Sequence, residues 1–204
     1  MTHAITSITE LEAIYGTPAL TSTAKVADRL TPEYRRLIEN SPFCALATCG
    51  PEGLDCSPRG DSRQCLFIEN DKTLLMPDRR GNNRIDSLRN IVRDPRVALM
   101  MLIPGSGTAV RINGTAILTL DPELLKRFEV EGKAPRSIIS VKIGEIYFQC
   151  ARAVMRAGLW KQDSHVDAAS LPTPGDILAA MSAGEVGGKD YDAEWPGRAA
   201  KTMW

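Results

Sequence analysis

Between residues 43 and 150 the apolar residues come in short runs broken by turn formers, and this punctuation constrains the fold more than anything else in the chain. Runs at 43–49, 54–59, 64–68 and 73–76 are separated by Gly50-Pro51-Glu52-Gly53, by a polar break and by Glu69-Asn70-Asp71-Lys72. Runs of this length between turn signals read as a β-meander. Longer strand patterns follow at 96–104 and 108–120, with the loop from Pro104 to Gly107 as a hairpin connection, and at 137–150. In the last of these Ile139, Val141, Ile143, Ile146 and Phe148 carry the apolar positions, and Gly144 marks a bend or bulge. The total is about six strands without a βαβ rhythm, which predicts a mainly β, closed or partly closed antiparallel barrel rather than a parallel sheet.

Helical patterns flank and interrupt this region. Residues 22–30 read as one helix, and residues 31–40 as another that begins with Thr31 as cap and Pro32 at the first helical position. A third pattern, 81–93, spaces Ile85, Leu88, Ile91 and Val92 on one face before Asp94-Pro95 ends it. Asp121-Pro122 starts a short helix that runs to Phe128. After Trp160 the chain turns to Pro, Gly, Ser, Asp and Ala, with one helix at 174–182, and cannot build a second core. The expectation is one domain over 1–204: N-terminal helices at 1–40, a barrel at 43–150, and a helix plus a C-terminal arm at 151–204. The arm is expected to wrap its own barrel or a partner subunit.

Composition excludes several function classes. Lys plus Arg equals Asp plus Glu at 25 each, so no global field points to nucleic acid or a membrane surface, and any cationic site must be local. No basic start followed by a long apolar run is present, and no window approaches the roughly 18 apolar residues of a membrane span, which makes a cytoplasmic location the expectation. The five cysteines (44, 49, 56, 65 and 150) form no CxxC pair and read as mostly buried thiols. With only His3 and His165, a Ser-His-Asp or Cys-His apparatus has little to build on. No HExxH, Walker or GxGxxG pattern occurs, and no metal site is expected.

Three polar segments remain. At residues 74–91 an apolar strand runs into a cationic turn and then a helix, an arrangement suited to an anion and above all to a phosphate. There Asn82 or Asn83 can cap the helix while Arg84 offers a bidentate guanidinium; the competing reading is a solvated turn. In Ser57-Pro58-Arg59-Gly60-Asp61 the polar residues mark either a ligand edge or a sheet edge with a local Arg59–Asp61 ion pair. Arg152, Arg156 and Trp160, spaced i, i+4, i+8, share one face of a helix and give either a solvated basic stripe ending in a packed Trp or a ligand face.

Together these segments resemble the FMN-binding split-barrel proteins of the pyridoxamine 5′-phosphate oxidase-like class, and within it an FMN-dependent subfamily. That subfamily carries a Ser-Pro-Arg-Gly-Asp strand (57–61 here), a Pro-Asp-Arg-x-Gly-Asn-x-Arg turn (77–84) and a late Cys-x-x-Ala-x-x-Arg-x-x-Leu-Trp (150–160), and the likeness extends over about residues 20–204. The resemblance implies a six-stranded antiparallel split β-barrel with flanking helices, a homodimer, and FMN at the subunit interface. By motif, Ser57, Pro58, Arg59 and Asp61 would line the flavin edge, with Pro77 and Asp78 on the next strand end. Asn83 and Arg84, with Asn82 in the same turn, match the basic pair that grips the phosphate in this class, with Arg84 as its anchor, although the family more often has a cation in place of Asn83. Arg156 and Trp160 would approach from the other subunit. The Arg-x-His pair that pyridoxamine phosphate oxidase carries near its C-terminus is missing, which argues against that substrate. The implied activity is a cytoplasmic FMN-dependent oxidoreductase using a small-molecule substrate or reductant, with Arg59 as the cation for the flavin N1/O2 edge. Alternatives are a flavin-binding or reservoir protein without turnover, and a split barrel that uses haem or a deazaflavin.

Overall fold

Gly50 and Gly53 face each other at the end of a hairpin that joins β1 (Phe43–Gly50) to β2 (Gly53–Gly60) in the computed structural model, which describes residues 3–204. From this register Cys44, Leu46 and Thr48 all point to the buried side, the period of two that a half-buried strand requires. β2 is an edge strand, and Pro58, which has no N–H to offer a further neighbour, is at home there.

The remaining strands are β3 (Phe67–Ile68), β4 (Thr73–Asp78), β5 (Arg96–Leu102), β6 (Ala109–Thr119) and β7 (Ser137–Gln149). All pair antiparallel in a single sheet of order β2-β1-β5-β6-β7-β4-β3. The expected six-stranded barrel is thus corrected on two counts: the sheet has seven strands, and it does not close, because its edges β2 and β3 do not pair with each other. The run at 64–68 supplies only two paired residues. Cys65 and Leu66 are buried in the core at 2% and 0% exposure, and the Cys65 N–H goes to the Ser41 carbonyl at 2.9 Å instead of to a strand.

The bulge expected at Gly144 is present. Asn113 faces Glu145 and Gly114 faces Ile143, so Gly144 has no opposite number. A Cβ on Gly114 would stand 2.1 Å from the Lys142 carbonyl oxygen, and only glycine fits that approach. Leu46, Leu99, Met101, Val110, Ile112, Ile139, Val141 and Ile146 make the core within the curled sheet.

The helices are α1 (Ile8–Tyr15), α2 (Leu20–Thr23), α3 (Pro32–Glu39), α4 (Asp86–Arg93), α5 (Pro122–Arg127), α6 (Arg152–Ala157), α7 (Pro174–Met181) and α8 (Gly188–Thr202). Thr31 caps α3 by accepting the Tyr34 N–H, and Asp121 caps α5 by accepting those of Glu123 and Leu124. Residues 24–30 are not helical. Ala27 exchanges backbone hydrogen bonds with Ile146 (3.0 and 2.8 Å) and the Leu30 N–H reaches the Asp71 carbonyl, so the sheet draws this segment out. Asn90 of α4 donates to Thr48 of β1 at 3.1 Å, and Gly50 leaves room for its side chain.

Two helices end or start short of expectation. Gly158, in the left-handed region at φ 60°, stops α6 after Ala157, so Trp160 is not on one helical face with Arg152 and Arg156. α4 begins at Asp86 because Asn83 adopts φ 63°, and neither Asn82 nor Asn83 caps it; the Asn82 side-chain oxygen accepts the Arg84 N–H at 3.0 Å in a local turn. In the arm, α7 matches expectation, whereas the longer α8 was not legible: Gly188, Pro196 and Gly197 depress its helix propensity. It forms by packing on α7, where Asp192 accepts from the Thr173 hydroxyl (2.5 Å) and the Gly175 N–H (2.9 Å).

Candidate functional site

β2 and β4 lie toward opposite ends of the sheet, and the curl of the sheet brings their last residues together. Arg59 at the end of β2 donates to Asp78 at the end of β4 at 2.8 Å, so a side-chain ion pair spans the gap that no backbone ladder closes. Below this pair opens a cavity of about 640 Å³. Its walls are β2, the end of β4, the turn at 79–85, the start of α4 and of β7, and one residue of α8.

Of the residues singled out in the sequence, Ser57, Pro58, Arg59, Asp61, Pro77, Asp78, Asn82, Asn83 and Arg84 all line this one cavity. Arg156 and Trp160 do not. Trp160 donates its indole N–H to the Ser106 carbonyl at 2.7 Å, and Arg156 is exposed on α6.

The charges are ordered more specifically than composition suggested. The local Arg59–Asp61 pair considered for β2 does not form. Arg59 takes Asp78, while Asp61 takes Arg79 at 2.9 Å, with side chains 7% and 13% exposed. Arg79 also donates to the Phe128 carbonyl at 2.5 Å, and its guanidinium lies 5.2 Å from the centre of the Trp204 ring. Arg79 is therefore committed on three sides, a joint between the β2 end, the α5 end and the C-terminus.

Arg84 points outward. Its side chain is 80% exposed and paired with Asp86 at 2.5 Å, and that carboxylate raises the pKa of the guanidinium. Two further cations line the cavity, Arg80 and Arg136, and among the described residues neither has a carboxylate at ion-pair distance. Arg136 donates to the Asn83 side-chain oxygen at 2.6 Å. The uncompensated positive charge of the site thus sits at Arg80 and Arg136.

Polar groups not committed to neighbours are the ones a ligand can use. The Arg59 Nε is buried with no partner among the described residues, a donor whose desolvation is unmatched by the protein alone. Ser57 and Ser87 both direct their hydroxyl hydrogens to Asp55 Oδ2, at 2.8 and 2.5 Å, which leaves the Ser57 oxygen as an acceptor on the cavity wall. Cys65 lines the cavity, and behind it the core thiol of Cys44 is pushed up by its hydrogen bond with Cys65 and by burial, and stays protonated.

Asp55, Ser87, Arg80, Arg136 and Trp195 were missed in the sequence. Arg136 carries no local signal; only the pairing of Asp78 with Ser137 brings it to the site. Trp195, like Tyr191 an aromatic in a polar arm, was a visible cue for α8. Among the described residues no group of three or more His, Cys, Asp and Glu could hold a metal ion, and no helix is long and apolar enough to cross a membrane.

The sequence model of one family, pyridoxamine 5′-phosphate oxidase, matches residues 30–150. No curated protein matches the chain. Among solved structures the chain is similar to HupZ of Group A Streptococcus, with 17% identity over 58% of this chain and 98% of that one and a TM-score of 0.49. It is also similar to an FAD binding protein from Mycobacterium smegmatis, with 15% identity over 60% and 97% and a TM-score of 0.42. General Stress Protein 26 from Bacillus anthracis gives 17% identity over 56% and 88%, with a TM-score of 0.40.

Proposed function

The chain belongs to the pyridoxamine 5′-phosphate oxidase family, and on that premise we propose that its cavity holds FMN and that the protein is an FMN-dependent oxidoreductase, working as a homodimer on a small molecule. The observation that carries this reading is the coincidence in one cavity of an unpartnered buried donor, Arg59 Nε, with two cations that lack a carboxylate, Arg80 and Arg136. A ligand that is anionic at one end and rich in acceptors satisfies both. The volume of about 640 Å³ falls within the ~300–1,000 Å³ usual for small-molecule sites.

In this reading Pro58, Pro77 and Met76 supply flat apolar contact to the ring, and Arg59, fixed by Asp78, places positive charge at its edge. Ser57, oriented by Asp55, accepts from a ligand N–H or O–H. The phosphate lies at the 79–84 turn, where Arg136, resting on Asn83, supplies the cation that the family more often has at that position. Bound FMN would supply hydride exchange with a partner molecule, while the chain contributes position and electrostatics. Titration of the purified protein with FMN tests this: a shifted, structured flavin absorbance band and quenched flavin fluorescence are expected, and an unchanged spectrum at tens of micromolar protein overturns it.

A second reading, flavin binding without turnover, is favoured by one observation: no histidine lines the cavity, and Asp61 and Asp78 are each held by an arginine. FMN-loaded protein that NADH and NADPH leave oxidised under anaerobic conditions would decide for it.

A further inference from the structure

The C-terminal arm is anchored in an unusual way. α8 buries none of its residues, and its main packing partner is α7, not the sheet. The two helices are tied to each other closely: Asp192 holds Thr173 and Gly175, and a Cβ at either Gly175 or Gly187 would run into the backbone of the other helix's start. This hairpin is a unit of its own, with apolar side chains such as Ile177 and Met181 left exposed.

Two tryptophans connect that unit to the cavity. Trp204 lies against the Arg79 guanidinium, the joint between cavity rim and α5. Trp195 lines the cavity itself yet remains 55% exposed, a large apolar ring at the mouth with nothing against much of its surface. Pro196 follows it directly and has no N–H for the Asp192 carbonyl one turn back, which loosens the helix where the indole meets the site. Exposed indole surface beside a cavity in which no other aromatic residue takes part among the described residues is contact area for a flat ring.

We propose that the α7–α8 hairpin is a flap over the cavity, latched by Trp204 against Arg79, and that Trp195 is its ligand-contacting residue, selecting a planar heteroaromatic ring. The inference deepens the flavin reading above and rests on it for the identity of the ring, which is either the flavin or a flat co-substrate lying beside it. The latch itself rests on the arm's own contacts. Entry of a ligand requires the hairpin to lift, and a bound ring holds it down.

Limited trypsin digestion and titration test the two halves. Lys189, Arg198 and Lys201 lie in α8, and cleavage there in the ligand-free protein is expected to be at least fivefold faster in Trp204→Ala than in wild type, with the circular dichroism of the core unchanged. Equal cleavage rates overturn the flap. Trp195→Ala is expected to weaken binding at least tenfold and Trp195→Phe less than threefold, with FMN as one probe and NAD⁺ added to FMN-loaded protein as the other. Weakening of FMN assigns the ring to the flavin, weakening of NAD⁺ alone assigns it to the co-substrate, and weakening of neither overturns the role of Trp195. A wild-type protein that takes up no FMN refutes the flavin reading separately, and the digestion of Trp204→Ala still decides the flap.

Discussion

Replacing Arg79 by alanine removes a guanidinium that is 13% exposed and leaves the Asp61 carboxylate, 7% exposed, without its counter-charge. Breaking a buried pair from one side costs about 3–5 kcal/mol. Asp61 keeps one compensation, the Ser62 N–H at 2.7 Å, so the expected loss for Arg79→Ala is near the low end, about 3 kcal/mol. For a chain of this size that is a fall in Tm of roughly 6–12 °C. Asp61→Ala costs less, about 2 kcal/mol, because Arg79 retains the Phe128 carbonyl and the Trp204 ring. The double variant should lose little more than Arg79→Ala alone, which puts the coupling energy at about 2 kcal/mol. Arg79→Lys should not rescue, since a single ammonium cannot address three partners arranged around a planar fork. Urea unfolding followed by circular dichroism measures all four, with m held constant as the check on two-state behaviour. Losses that add within about 0.5 kcal/mol would refute the joint and return Asp61 to the ligand-facing role that its motif position suggested.

Arg136→Ala should weaken FMN binding about tenfold or more, the value of a charged hydrogen bond at about 1.5–3 kcal/mol, and more than Arg84→Ala does, because Arg84 is already neutralised by Asp86; paired titrations read this directly. Gly114→Ala should destabilise by about 3 kcal/mol or more, since its Cβ would meet the Lys142 carbonyl oxygen at 2.1 Å and the Gly144 nitrogen at 3.1 Å across the bulge; thermal unfolding within 3 °C of wild type would show that the bulge can slip. Asp28, held mainly by Lys72 and then by Arg29, has its pKa lowered to about 2. A carboxylate depressed in the folded state stabilises above its unfolded pKa of about 3.9 and loses that contribution as pH falls toward the folded value. Stability in Lys72→Met should therefore fall less steeply than in wild type between pH 4 and 2, and identical slopes would refute the pair.

Local pattern carried the fold a long way. Alternation in 43–50 and 137–149, the Gly50–Gly53 turn, the caps at Thr31 and Asp121 and the bulge at Gly144 were all written in neighbouring residues. What failed was decided by residues far off in sequence. Residues 24–30 lost their helix to Ile146, the strand at 64–68 shrank because Cys65 and Leu66 serve the core, and α8 formed on α7 against its own composition. The break after Ala157 is a different case: Gly158 is visible in the sequence, and a glycine two residues before Trp160 was a legible C-cap.

The candidate site shows the same division on a finer scale. Motif placement put nine polar and cyclic residues beside one cavity, but it could not say which of them a ligand can reach. That depends on pairing across the gap between β2 and β4, which no local pattern encodes. The pairs form crosswise: Arg59 with Asp78, and Asp61 with Arg79, so each strand end contributes one acid and one base to the other. Two of the four carboxylates on the wall are thereby neutralised without a ligand, and Arg84 and Asp86 neutralise each other at the surface. With those charges cancelled, the field inside the cavity is set by residues the motifs passed over: Arg80 and Arg136, and opposing them Asp55, whose carboxylate takes only the Ser57 and Ser87 hydroxyls among the described residues. In the FMN reading the phosphate is therefore assigned to Arg80 and Arg136 rather than to Arg84, whose charge Asp86 already meets.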